Sequence, residues 1–238
     1  DNNKRIAKNT LFLYFRMMFI ILVSLYTSRV ILKTLGIEDY GIYNVVGGFV
    51  SMFGFLNTAM SATTQRYITF SLGTENIAQL NKVFSNCVMT HILIALIVLL
   101  FAESVGLWFL FNKMIIPESR ITAAFVVFQC SVVSTVVFIL SVPYNADIIA
   151  HEKMSAFAYI SIVEVTLKLL IVFLLKIGGI DKLIFYGILL LFVQCSIRLI
   201  YGSYCKRHFE ETKFRIIWDF SLFKEMLSFA GWNLWGGV

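Results

Sequence analysis

The sequence predicts an all-α integral membrane protein. Composition, the scarcity of helix breakers and a repeated run length all point there. Of 238 residues, 59% are hydrophobic and only 14% charged, against ~25% charged in ordinary soluble domains, and the mean hydropathy is +0.82. A water-soluble core could not hide that much apolar surface. Two prolines and 23 phenylalanines favour long helices over the short alternating strands of an outer-membrane barrel. Crossing ~30 Å of hydrocarbon takes roughly 20 apolar residues, and six segments have that length: 10–32, 40–62, 87–111, 121–144, 154–176 and 183–205.

The first run follows Lys4, Arg5 and Lys8, as a signal peptide would. It is too long for an apolar signal region of about 7–15 residues, and no small-x-small cleavage pattern follows it, so it is read as a retained helix. Residues 226–238 begin a seventh apolar run that stops about halfway across, and the chain opens on Asp1 without a methionine. Both features are expected of a piece of a longer protein that continues for roughly the same length again. The predicted organisation is a six-helix transmembrane lobe over 1–205, a cytoplasmic interfacial linker over 206–225 and the start of a seventh helix over 226–238.

The formal charge of +6 does not form one basic tract, which argues against nucleic acid as a partner. Lys4, Arg5, Lys8, Arg66, Lys82, Lys153, Lys206, Arg207, Lys213, Arg215 and Lys224 fall on one side of the predicted spans. Lys33, Lys113, Arg120 and Lys182 fall on the other, with Lys176 at its boundary. The positive-inside rule makes the richer side, and the amino terminus, cytoplasmic. The outer loops are then too short for an extracytoplasmic catalytic domain. Residues 63–84 and 206–225 are polar enough to lie along the cytoplasmic surface. The second, with His208, Trp218 and Phe220, suits either an interfacial amphipathic helix among membrane lipid head groups or a solvated linker. Cys87, Cys130, Cys195 and Cys205 show no metal or disulfide spacing and read as apolar packing residues. No metal or cofactor is implied.

The second predicted span carries Asn44, Gly47, Gly48, Ser51, Gly54, Asn57, Thr58 and Ser61 at three- to four-residue intervals, stacked on one helical face. Close helix packing and the lining of a polar cavity both fit that stripe. The fifth span holds Glu164 and Lys168, four apart in the order that favours pairing; the sixth holds Gln194, Arg198 and Tyr201. Each charge facing lipid would cost ~2.5–3.5 kcal/mol. Glu164, Lys168 and Arg198 should therefore face protein or a hydrated cavity, as a structural ion-pair network or as an anion-binding site. Arg16 and Arg29 in the first span can each reach a membrane face and snorkel. Glu103 and Glu164 are candidates for coupling to a proton or sodium ion, as is Asp147, which can also be interfacial. His91 reads as a helix-end residue, and Pro143 should end or kink the fourth helix. P-loop, GxSxG, HExxH and dinucleotide fingerprints are absent, which points away from an enzyme.

Arg29-Val30-Ile31-Leu32-Lys33-Thr34-Leu35-Gly36, running into Glu38-Asp39-Tyr40-Gly41-Ile42-Tyr43-Asn44, and then Thr64-Gln65-Arg66-Tyr67-Ile68, resemble the amino-terminal part of polysaccharide and O-antigen flippases. These belong to the multidrug/oligosaccharidyl-lipid/polysaccharide exporter superfamily. Pro143-Tyr144-Asn145-Ala146 and Ala150-His151-Glu152-Lys153-Met154 extend the resemblance. It implies half of a two-lobe, V-shaped, alternating-access exporter in the bacterial cytoplasmic (inner) membrane. The substrate would be a polyprenyl-pyrophosphate-linked oligosaccharide destined for cell-surface polysaccharide. The resemblance implies that cationic cavity residues, arginines of the first helix among them, engage the pyrophosphate; Arg29 matches best and Arg16 next. The intramembrane charges themselves add Arg198 foremost and Lys168 to that anion site, with Gln194 and Asn57 as polar partners.

The first predicted span has no acid of the kind that the drug-exporting branch often carries there, which favours an anionic lipid-linked oligosaccharide over the alternative of a cation-coupled multidrug antiporter. A membrane glycan polymerase or ligase would need larger outer loops. In a non-transporting scaffold, the intramembrane charges would be ion pairs only.

Overall fold

A computed structural model describes residues 2–176, 181–213 and 218–236, leaving undescribed the side chains of 2–9, 55–57 and 234–236 within its helices. The described residues are helical, with no strand. The helices are α1 (Asn2–Ser51), α2 (Gly54–Gly73), α3 (Ile77–Phe101), α4 (Leu107–Asn112), α5 (Ile121–Ile139), α6 (Val142–Ala150), α7 (Met154–Leu174), α8 (Lys182–His208) and α9 (Phe220–Gly236). A π-helical turn, Ala102–Gly106, joins α3 to α4. Among the described residues, five stretches are long and apolar enough to cross a membrane: Thr10–Ser51, Ile77–Asn112, Glu118–Ala150, Met154–Leu174 and Lys182–His208. Their apolar side chains are largely outward. In the most apolar window of Thr10–Ser51 none of the residues is buried, and Leu25 is 68% exposed. Water would penalise that surface and hydrocarbon accepts it, so this is a helical, multi-pass membrane chain.

The expected second span over 40–62 does not run as one helix. Gly36 divides α1 with φ 85 and ψ 170, a conformation that is essentially glycine-only. The limb after it ends at Ser51, and Met52 and Phe53 form a turn before α2. The physical reason is local: Gly47, Gly48 and Gly54 weaken the helix, and Ser51 Oγ donates to the Gly48 carbonyl at 2.8 Å, in competition with the backbone ladder. Among the described residues five stretches of crossing length are found, and the expected second span is divided between the limb of α1 after Gly36 and α2. At the other expected break, α5 stops at Ile139 and Pro143 sits in the first turn of α6, where its missing N–H costs nothing. His91 is not a helix-end residue, because α3 starts ten residues earlier than the apolar run. Its ring is buried, and Nδ1 donates to the Cys87 carbonyl at 2.8 Å.

The chain divides into two compact units, one of Asp1–Ser51, Leu99–Thr135 and Met154–Ile197, the other of Met52–Val98, Val136–Lys153 and Arg198–Val238. In the first, α7 packs along α1, and Val46, Val50, Val127, Phe128 and Leu183 form the buried core. Gly106 lets that core close, since a Cβ there would lie 2.7 Å from Phe128 and 2.8 Å from Phe49. Arg120 pairs with both Asp39 and Asp181, so one guanidinium ties the three connections that were expected on one membrane face. Asp181 also caps α8, accepting the amides of Leu183 and Ile184 at 3.0 and 3.3 Å. Burial pushes its carboxyl up, but those amides and Arg120 outweigh burial and hold it below the usual aspartate value.

In the second unit, α2 packs against α6 and α9 around Ile68, Phe84, Cys87 and Met226. The described part of 206–225 is neither a single amphipathic helix nor a free linker. It contains the end of α8, a 3₁₀ turn over Glu210–Thr212 and the start of α9, and the turn and the residue before α9 are anchored on α3. Asn81 Nδ2 donates to the carbonyls of Glu211 and Lys213 at 2.7 and 2.9 Å. Lys82 pairs with Asp219 at 2.8 Å, and Asp219 caps α9 through the amides of Ser221 and Leu222.

Candidate functional site

The first unit holds a cleft of about 290 Å³ whose walls come from α1, α7 and α8. From α1 it takes Arg16, Ile20, Ser24, Thr27, Ser28 and Ile31, at intervals that keep them on one helical face. α7 adds Ser161, Glu164 and Lys168, and α8 adds Tyr186. Lys168 Nζ donates to Glu164 Oε1 at 2.6 Å, which is the pairing their order favours. The Arg16 guanidinium lies 4.2 Å over the Phe157 ring, a cation–π contact that holds it without neutralising it. With Arg16 and Lys168 counted as +1 each and Glu164 as −1, the lining carries a net formal charge of +1.

Two polar atoms of this lining, Arg16 Nε and Thr27 Oγ1, are buried and make no hydrogen bond among the described residues. A buried donor without a partner is costly, so both atoms are available to hydrogen-bond a ligand or water in the cleft. Ser161 is different: its hydroxyl donates back to the Phe157 carbonyl at 2.9 Å.

Lys168 also borders a second cleft of about 210 Å³, shared with Gly47, Ser51, Ser131, Ser134, Thr135 and Gln194. Part of the small-residue stripe therefore lines a polar space. A Cβ built on Gly47 would meet nothing nearer than the Tyr43 ring at 3.9 Å, and one on Gly48 or Gly54 nothing within 4 Å. Among the described residues, none comes close enough to these three glycines to require the missing Cβ. Asn44 is exposed and donates to its own helix at the Tyr40 carbonyl; the Asn57 side chain lies outside the described residues.

Comparison with family models, curated proteins and solved structures finds no match for this chain.

Arg29 is exposed and borders a cleft of about 600 Å³ with Lys33, Lys176 and Lys182, four cations with no carboxylate among the lining residues. Glu103 lies in the π-helical turn and accepts from Gln129 Nε2 at 3.2 Å; π-turns are frequent at functional positions. Arg198 belongs to the second unit, where its guanidinium lies 3.9 Å over the Tyr144 ring. A Cβ on Gly202, one turn further along, would lie 2.7 Å from Arg198 Nη1, so that glycine makes room for the side chain.

Sequence reasoning passed over Ser24, Thr27, Ser28 and Ser161. Their spacing repeats that of Arg16 and Glu164 on the same helix faces, and that periodicity was the available signal. It also passed over Asp147, His151 and Glu211 as a group. Asp147 and His151 are four residues apart, but no local pattern announces Glu211.

Proposed function

We propose that this chain is one lobe of a flippase that carries a polyprenyl-pyrophosphate-linked oligosaccharide across the bacterial cytoplasmic membrane. The observation that carries the reading is the cleft of Arg16, Glu164 and Lys168, with the buried Arg16 Nε and Thr27 Oγ1 unpartnered among the described residues. Its chemistry suits a ligand with both phosphate oxygens and hydroxyls. Arginine stays charged, and its planar fork binds phosphate bidentately. The hydroxyls of Ser24, Thr27 and Ser28 on α1 offer hydrogen bonds to a glycan that would otherwise lose its hydration inside the membrane. The exposed apolar face of α1 leaves the polyprenyl tail in lipid. No bond is made or broken; transport is alternating access around the cleft, with Glu164 or Glu103 as the acid that couples a proton or sodium ion.

The cationic cleft at Arg29, Lys33, Lys176 and Lys182 supplies a second anion-binding position along the same helix, where the pyrophosphate is released or received. Arg198, stacked on Tyr144, serves as a further cation on the route.

Glycan export and membrane abundance in cells that rely on this protein test the reading. Arg16→Ala and Lys168→Ala should abolish export at normal abundance, and Arg16→Lys should keep part of it, since charge survives while the bidentate geometry is lost. Wild-type export by well-expressed Arg16→Ala and Lys168→Ala would sink the reading. An equal fall in abundance for Glu164→Ala and Lys168→Ala would make the pair structural.

A further inference from the structure

We infer that Asp147, His151 and Glu211 form a binding site for a divalent transition-metal ion of the zinc or manganese class. Asp147 and His151 lie four residues apart at the end of α6, and the His151 amide donates to the Asp147 carbonyl at 3.0 Å. Both side chains therefore leave the same helical face. Glu211 arrives from the 3₁₀ turn Glu210–Thr212, whose backbone is fixed by the Asn81 amide donating to the Glu211 and Lys213 carbonyls. One ligand atom from each of the three residues lies within 4.8 Å of the others.

The geometry is close to what such an ion requires. His151 Nε2 is 3.8 Å from Asp147 Oδ1 and 2.5 Å from Glu211 Oε1. Zinc–ligand bonds of about 2.0–2.2 Å at a tetrahedral angle place neighbouring ligand atoms about 3.3–3.5 Å apart. The aspartate separation needs only a slight contraction, and the histidine–glutamate hydrogen bond has to open by about 1 Å. The imidazole is already oriented, stacked on the Phe209 ring with centroids 4.0 Å apart and planes at 6°. Stacking holds the plane of the ring, and the contact of Nε2 with Glu211 Oε1 turns that nitrogen toward the carboxylates.

A second observation points independently to a cation. Asp147 is 0% exposed, and neither of its carboxylate oxygens has a hydrogen-bond partner among the described residues. Buried carboxylates are ordinarily paired, hydrogen-bonded or bound to metal. With each carboxylate counted as −1 and a neutral histidine as 0, a divalent ion brings the site to zero. One imidazole and two carboxylates suit zinc or manganese, whereas copper(I) prefers sulfur and calcium prefers an all-oxygen shell. Three protein ligands leave a fourth position for water, and His151, 23% exposed, gives access. The bound ion would clamp the connection between α8 and α9 to the end of α6. The inference does not depend on what the chain transports.

The test uses the full chain in detergent, stripped with a chelator and titrated with Co²⁺, whose visible d–d bands report low-coordinate nitrogen and oxygen ligation, and then with Zn²⁺ in competition. One saturable equivalent is expected, with a zinc-dependent rise in melting temperature. Asp147→Asn and Glu211→Gln should each weaken binding by at least about tenfold and remove the rise, while His208→Ala, on the exposed end of α8, should leave both unchanged. If Asp147→Asn does not yield folded protein, Glu211→Gln decides alone. Absence of saturable binding of either ion, wild-type affinity in Glu211→Gln, or loss of binding in His208→Ala would overturn the inference.

Discussion

At Gly36 the backbone of α1 takes φ 85 and ψ 170, and a Cβ there would meet nothing within 4 Å. Any penalty for Gly36→Ala is therefore conformational and not steric. The expected cost is ~1–3 kcal/mol, read as a lower melting temperature in detergent, and unchanged stability would show that the break tolerates an L-residue. Gly106 presents the opposite case: its φ is ordinary, but a methyl group would collide with Phe128 and Phe49. Gly106→Ala should cost about 1–3 kcal/mol through overpacking. Pairing it with Phe128→Leu should recover part of the loss, whereas a simple helix-propensity gain would make Gly106→Ala stabilising on its own. Asp181 contributes electrostatically. Its folded-state carboxyl sits below the ordinary value of 3.8, so its contribution is fully present above that pH and lost as pH falls through the lower folded value. Thermal melts across that acid range should show a shallower pH dependence for Asp181→Asn than for the wild-type chain.

Elements add constraints that single residues do not. α1 brings Arg16 and Arg29 to two separate clefts because they lie 13 positions apart on one helix. α7 meets the first of these clefts through a serine, an acid and a base at successive turns. The 3₁₀ turn after α8 and the start of α9 are held by Asn81 and by the Lys82–Asp219 pair. Asn81→Ala removes both anchoring donors to the 3₁₀ turn and should raise backbone hydrogen exchange at Glu211–Lys213 while leaving α7 protected. Equal exchange in both proteins would mean that other contacts hold the turn.

For the whole molecule, orientation is the testable statement. Arg120 joins Asp39 and Asp181, so cysteines introduced near Asp39, Glu118 and Asp181 should report from one membrane face and be labelled from outside. Cysteines near Lys82, Lys153 and Lys213 should stay protected until the membrane is permeabilised. The reverse pattern would overturn the charge-based orientation while leaving the helices as described. Separate labelling of position 39 from position 181 would contradict the Arg120 bridge itself.

The sequence by itself determined that the chain is helical and membrane-spanning, because hydrophobic length and composition are local quantities that a bilayer converts directly into helices. It also located most span cores and the break near Pro143, and it placed Glu164 beside Lys168, since i to i+4 geometry is set within one helix. Only the tertiary structure decided which polar residues share a space. The grouping of Arg16 with Thr27, Glu164 and Lys168 depends on how α1 meets α7. The meeting of Asp147 and His151 with Glu211 depends on a turn anchored by Asn81. The interruption at Ser51 was hidden for a different reason. A continuous apolar run looks the same whether or not its glycines let the helix stop, and hydropathy carries no information about φ and ψ.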